Sequence, residues 1–149
     1  MKLNVLLTIG ALFGSTLLAQ ADVQSLSWST VATKQADSWY ASDEAAAVAE
    51  NVLLYQRDNG GWMKNIQMHK TLTESEKITV ESEKKGESCF DNGATTTEMR
   101  FLAKMYRNTQ NEKYKEAFIK ALNLVFVSQR EAGAGPGLSD PLSHFAGSR

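Results

Sequence analysis

Two stretches of the sequence hold residue types able to bind oxygen-rich ligands or metals: Asp58-Asn59-Gly60-Gly61-Trp62-Met63-Lys64-Asn65 and Asp91-Asn92-Gly93-Ala94-Thr95-Thr96-Thr97. In the second, a carboxylate, an amide and three hydroxyls gather where a helix should begin. One reading is structural: an Asx-type turn in which Gly93 supplies a backbone angle other residues resist. The other is a site. Asp91 and Asn92 offer hard oxygens of the kind Ca²⁺ takes, and the N–H groups of a helix start suit a carboxylate. Residue types alone leave both open. In the first stretch, an exposed Trp62 indole beside Lys64 and Asn65 would make a platform for an acidic sugar, and a buried core tryptophan accounts for the same residue equally well. Neither stretch fits the EF-hand pattern, and two copies of Asp-Asn-Gly without a shared period are no solenoid repeat.

The elements that must position these residues read as helices, with almost no strand alternation. Ser42 is a good N-cap, Asp43 and Glu44 suit the positive end of a helix, and Ala45, Val48, Ala49, Val52 and Leu53 follow at three-four spacing. That helix is expected to run to about Arg57, where Asp58-Asn59-Gly60-Gly61 stops it. A second begins near Thr96 with Met99, Leu102, Ala103 and Tyr106 on one face. A third is capped by Asn111 and carries Tyr114, Ala117, Phe118, Ala121, Leu122 and Val125. The short link from Asn108 to Asn111 makes these two antiparallel neighbours. Between the first and second helices, Met68 to Ser88 is polar. It has a helix start at Thr73, but with only Ile78 and Val80 as apolar content it reads as a surface excursion. From Arg130 the helical pattern stops, and the last twenty residues hold four glycines and both prolines.

Met1-Lys2, an apolar run from Leu3 to Leu18, and Ala19-Gln20-Ala21 form the charged start, greasy core and small-residue exit of a signal peptide. Cleavage after Ala21 is expected, which places the mature chain, from Asp22, in the periplasm or outside the cell and off the membrane. A formal charge of −1 gives no electrostatic case for binding nucleic acid. Cys89 is the single cysteine and reads as a small buried hydrophobe. The carboxylates from Glu74 to Glu87 lie among lysines and read as solvated surface, and His69 and His144 stand alone.

Taken together, Trp39 to Met68 and Asp91 to Gln129, joined by a lysine- and glutamate-rich segment, resemble the N-terminal part of the catalytic module of pectate lyases of polysaccharide lyase family ten. The resemblance implies an all-α fold of helical hairpins in an incomplete α/α toroid. It also implies a monomer and Ca²⁺-dependent β-elimination of polygalacturonate, the backbone of pectin. A base removes the C5 proton, the C4 oxygen leaves, and a cation steadies the charge growing on the adjacent carboxylate. On the matching positions, Asp91 is expected to be a metal and substrate carboxylate, supported by Asn92 and Thr95. Trp62, Lys64 and Asn65 are expected to form the cleft wall. Met63 stands where the family usually has proline.

The family's arginine base is expected beyond this chain, and Arg100, Arg107 and Arg130 match no such position. Residues 22–129 are therefore read as a truncated, weakly active or inactive lyase module. Residues 130–149 are read as a tail whose codons, shifted by one nucleotide, could encode the missing Gly-Gly-Trp. The competing reading is a non-catalytic helical module that binds acidic polysaccharide.

Overall fold

The computed structural model describes residues 22–133, with side chains to residue 130; the expected signal peptide and the tail from residue 134 lie outside them. Among the described residues there are five α-helices and no strand: α1 (Trp28–Lys34), α2 (Asp43–Tyr55), α3 (Glu74–Ser82), α4 (Thr96–Thr109) and α5 (Glu112–Gly133). Short 3₁₀ segments lie at Val23–Ser25, Asp37–Ala41 and Asp91–Gly93. No helix among the described residues is long and apolar enough to cross a membrane.

Local chemistry explains the starts and stops. The Ser42 hydroxyl accepts the Ala45 N–H at 3.2 Å, as its type predicts for an N-cap. Helix α2 ends at Tyr55, two residues before the expected stop. Gln56 leaves the helix, and its buried amide donates to the carbonyls of Gly60 and Ala117, each at 2.8 Å. Satisfying that amide fixes where the chain turns. Helix α4 closes on Gln110 in the left-handed conformation, and Gln110 and Asn111 alone link it to α5, against which it packs as a helical hairpin.

Three expectations fail. The Met68 to Ser88 segment is not irregular throughout. Thr73 and Glu76 form a reciprocal capping box that starts α3, although the helix buries no side chain. Its far end is held by the Arg57 guanidinium, which reaches the Glu83 carbonyl and its carboxylate at 3.0 Å. Helix α5 does not stop at Arg130 but continues to Gly133. On α4, Ala103 faces solvent; the buried stripe is Glu98, Phe101, Leu102 and Met105, one position out of phase with the expected face.

The segment before α2 forms an element the sequence reading passed over. Ser27 caps α1, and the Asp37–Ala41 turn drives Trp39 and Tyr40 inward. Trp28, Trp39, Tyr40 and Phe101 form one aromatic cluster, with ring centroids 5.2 to 6.5 Å apart. Helix α4 is the hub, packing on α1, α2, α5 and the 3₁₀ turn.

Candidate functional site

The two Asp-Asn-Gly stretches meet. Lys64 Nζ lies 2.9 Å from Asp91 Oδ2, and Asn92 donates through Nδ2 to Asn65 Oδ1 at 3.3 Å. Both pairs join segments 27 residues apart. Beneath them the Thr95 hydroxyl accepts the Trp62 backbone N–H at 3.1 Å and donates to the Cys89 carbonyl at 3.0 Å. The first stretch thereby lies across the mouth of α4.

The backbone there is strained. Asn65, Asn92 and Thr95 all have positive φ, at 65°, 53° and 64°. Asparagine visits this region readily, but for a β-branched threonine it is an outlier that the surroundings must enforce. With its hydroxyl turned inward, Thr95 gives α4 no side-chain cap. The three threonines thus divide their work. Thr95 braces the loop, Thr96 bonds back to the Gly93 carbonyl at 3.0 Å, and Thr97 faces a cleft.

That cleft, open to solvent and about 170 Å³ in volume, runs between the 63–67 segment, the start of α4 and the start of α1. Lys64, Asn65, Asn92, Thr97 and Glu98 supply much of its polar wall. Asp91 stands outside it, tied in through Lys64, which holds the Asp91 carboxyl below its ordinary range while Asp91 raises the Lys64 ammonium.

Glu98 is the residue that sequence reasoning missed. It is 2 % exposed, and its Oε1 accepts the Trp28 indole N–H at 2.6 Å. Oε2 is buried with no hydrogen-bond partner of normal geometry. Burial pushes the carboxyl up. The Trp28 N–H, followed by the backbone N–H groups of Glu98 and Thr95, pulls the other way. A signal was present, since Thr95-x-x-Glu98 is a capping-box spacing, but it points to a helix start and not to a buried acid.

Of the expected site residues, Lys64, Asn65 and Asn92 line the cleft, and Asp91 stands outside it, paired with Lys64. Thr95 lies under it as a brace. Trp62 does not form an exposed plate: its side chain is fully buried, and its indole donates to the Val52 carbonyl at 2.7 Å. An indole between a helix and a loop with its one donor satisfied is core. Cys89 is half-buried, and its sulfur accepts the Asp91 N–H at 3.2 Å. His69 proves to be buried, stacked on Trp28.

A calcium ion takes six to eight oxygens. The described residues offer Asp91 as one carboxylate, already paired with Lys64, and no group of three His, Cys, Asp or Glu side chains gathers among them.

The 63–67 loop and the starts of α1 and α4 thus enclose a polar, open cleft in an all-helical fold. Residues 56–142, more than half of the chain, match the model of a family described as pectic acid lyase, and the chain belongs to that family. The match takes in both Asp-Asn-Gly stretches and extends past Gln129. No curated protein and no solved structure matches the chain.

Proposed function

We propose that this chain is a family-ten pectate lyase module that binds polygalacturonate at the α4 cleft and turns it over weakly or not at all. It acts as a monomer, outside the cell or in the periplasm, and its helices are the first hairpins of an incomplete α/α toroid. The observation that carries the reading is the closure of the 58–65 and 91–97 stretches on each other through Lys64–Asp91 and Asn65–Asn92, within the matched region.

The chemistry of the wall fits a chain of uronates. Lys64 can face a sugar carboxylate, and the amides of Asn65 and Asn92 can serve ring hydroxyls, which both donate and accept. The uncapped start of α4 favours negative charge nearby. Calcium belongs to the proposal as an ion that Asp91 would help to hold and that would supply positive charge toward the carboxylates of the sugar. Thr95 and the buried Trp62 hold the loops in place.

No arginine lines the cleft among the described residues: Arg57 bonds Glu83, Arg107 pairs with Asp37, and Arg100 points to solvent from α4. This observation favours binding over turnover, and in its limit it supports the second reading, a module that grips acidic polysaccharide without cleaving it.

The test is retention on polygalacturonate with Ca²⁺, beside ultraviolet absorbance of unsaturated product, with a chelator control and Asp91→Ala. Retention that Asp91→Ala and the chelator both weaken, with little product, is expected. Rapid chelator-sensitive product formation would refute weak turnover. Absence of retention would sink the whole reading.

A further inference from the structure

His69 is 2 % exposed, and neither ring nitrogen has a hydrogen-bond partner of normal geometry. Its imidazole is stacked on the Trp28 indole, the centroids 6.2 Å apart and the planes within 6° of parallel. In this position the ring packs as a neutral aromatic. Burial holds it below the ordinary 6.5, the Lys70 ammonium acts the same way, and the Leu26 backbone opposes them.

The residue also borders a second cavity, open to solvent and about 360 Å³ in volume, which shares no wall with the α4 cleft. Helix α2 lines it through Glu44, Glu50 and Asn51, and α3 through Lys77. The charges facing the ring can be taken in turn. Lys70, beside it in sequence, turns its ammonium to the Gln24 carbonyl. The Val23–Ser25 turn brings Gln24, uncharged, whose amide donates to the His69 carbonyl at 2.8 Å; Asp22 caps that turn. From α4, Glu98 lies behind Trp28 on the indole N–H. Across the cavity Lys77 pairs with Glu74 and Glu50 with Lys113, while Glu44 accepts the Trp39 indole N–H through one oxygen.

An imidazolium in the stacked position would carry two N–H donors without proper acceptors and a lysine next door, which is costly for a buried charge. In the cavity the same group meets water and the carboxylates of Glu44 and Glu50. Each protonation state thus has its own place.

We infer that His69 is an acid-operated latch: neutral, it stacks on Trp28 and backs the wall of the α4 cleft; protonated, it leaves Trp28 for the cavity, toward Glu44 and Glu50. The move reaches the cleft directly. Trp28 and Gln67 both line it, and Gln67 Oε1 accepts the Trp28 backbone N–H at 2.9 Å, two residues before His69. The latch stands whether or not the cleft binds polygalacturonate. The freed ring titrates near 6.5 and the stacked ring below it, so the stacked form is lost as pH falls from 6.5 through the lowered value.

The full chain has two histidines, His69 and His144, so both rings can be followed by proton resonance from about pH 8 to about pH 4. The His69 ring is assigned by its nuclear Overhauser contact with Trp28 at high pH. Glu98 also titrates against Trp28, so the series is run in the parent and in Glu98→Gln, which keeps an oxygen for the indole. In both, the His69 ring is expected to titrate below 6.5, with the Trp28 indole N–H resonance moving in step. His69→Phe keeps a ring against Trp28 without a proton site, so the step should vanish. Glu44→Gln together with Glu50→Gln removes the receiving carboxylates and should move the step to lower pH by about half a unit or more. A stationary indole, a step that survives His69→Phe, or a step that the α2 substitutions leave in place overturns the latch. If His69→Phe does not fold, the parent and the α2 variant decide the question.

Discussion

The Thr95 hydroxyl accepts the Trp62 backbone N–H at 3.1 Å across 33 residues of sequence, joining the last residue of Asp-Asn-Gly-Gly-Trp to the last residue of Asp-Asn-Gly-Ala-Thr. Both side chains are fully buried. What looked like two loose polar turns is one braced junction, and the strained φ of Thr95 is held by the two hydrogen bonds its hydroxyl makes.

Removing that hydroxyl should therefore loosen the junction. Thr95→Val keeps the shape but leaves the Trp62 N–H and the Cys89 carbonyl without their partner, a loss of about 1–3 kcal/mol. Thr95→Ser keeps both bonds and should lose less. Urea unfolding of the two variants checks the order, and equal midpoints would show that the brace contributes nothing.

Asp91 makes the opposite case. Its pair with Lys64 is exposed at both ends, so the pair should add little to stability. Asp91→Ala is expected to leave the thermal midpoint unchanged while reducing retention on polygalacturonate. Because Lys64 holds the Asp91 carboxyl below its ordinary 3.8, retention should stay level as pH falls toward that value. A retention curve already falling well above it would show that another group controls binding.

Glu98 should make stability depend on pH. Its folded carboxyl titrates above the ordinary 4.5, so between the two values the folded state holds the extra proton. Stability then falls as pH rises from 4.5 through the raised folded value, and the penalty is absent below 4.5, where both states are protonated. Glu98→Gln should remove this slope and be the more stable protein at neutral pH. Parallel curves of denaturation midpoint against pH for parent and variant would refute the assignment.

Gly60 should tolerate no side chain. It sits at φ +101°, and a Cβ there would lie 2.4 Å from the Lys120 carbonyl oxygen in α5. Because the obstacle is helix backbone, it cannot step aside. Gly60→Ala is expected to cost about 3 kcal/mol or more, read by denaturant unfolding.

Legibility followed the range of the interactions. The start of α2 at Ser42 and the short link between α4 and α5 could be read because each rests on residues adjacent in sequence. The capping box of α3 was visible at Thr73, but a helix that buries nothing carries no apolar stripe, so its polar composition read as loop. Helix α1 was passed over because seven residues give too short a period to recognise, although Trp28 from it proves central.

By itself the sequence determined that the chain is helical, that two Asp-Asn-Gly turns bound its helices, and that its motifs resemble a pectate lyase module. Those properties rest on local geometry and on residue order. Tertiary structure decided where each of the motif residues sits. It sent Trp62 into the core and Thr95 beneath the loop, set Lys64 on Asp91, and buried Glu98 against the indole of Trp28, 70 residues away. Such choices depend on partners distant in sequence, and competition for buried hydrogen bonds among them leaves no local pattern to read.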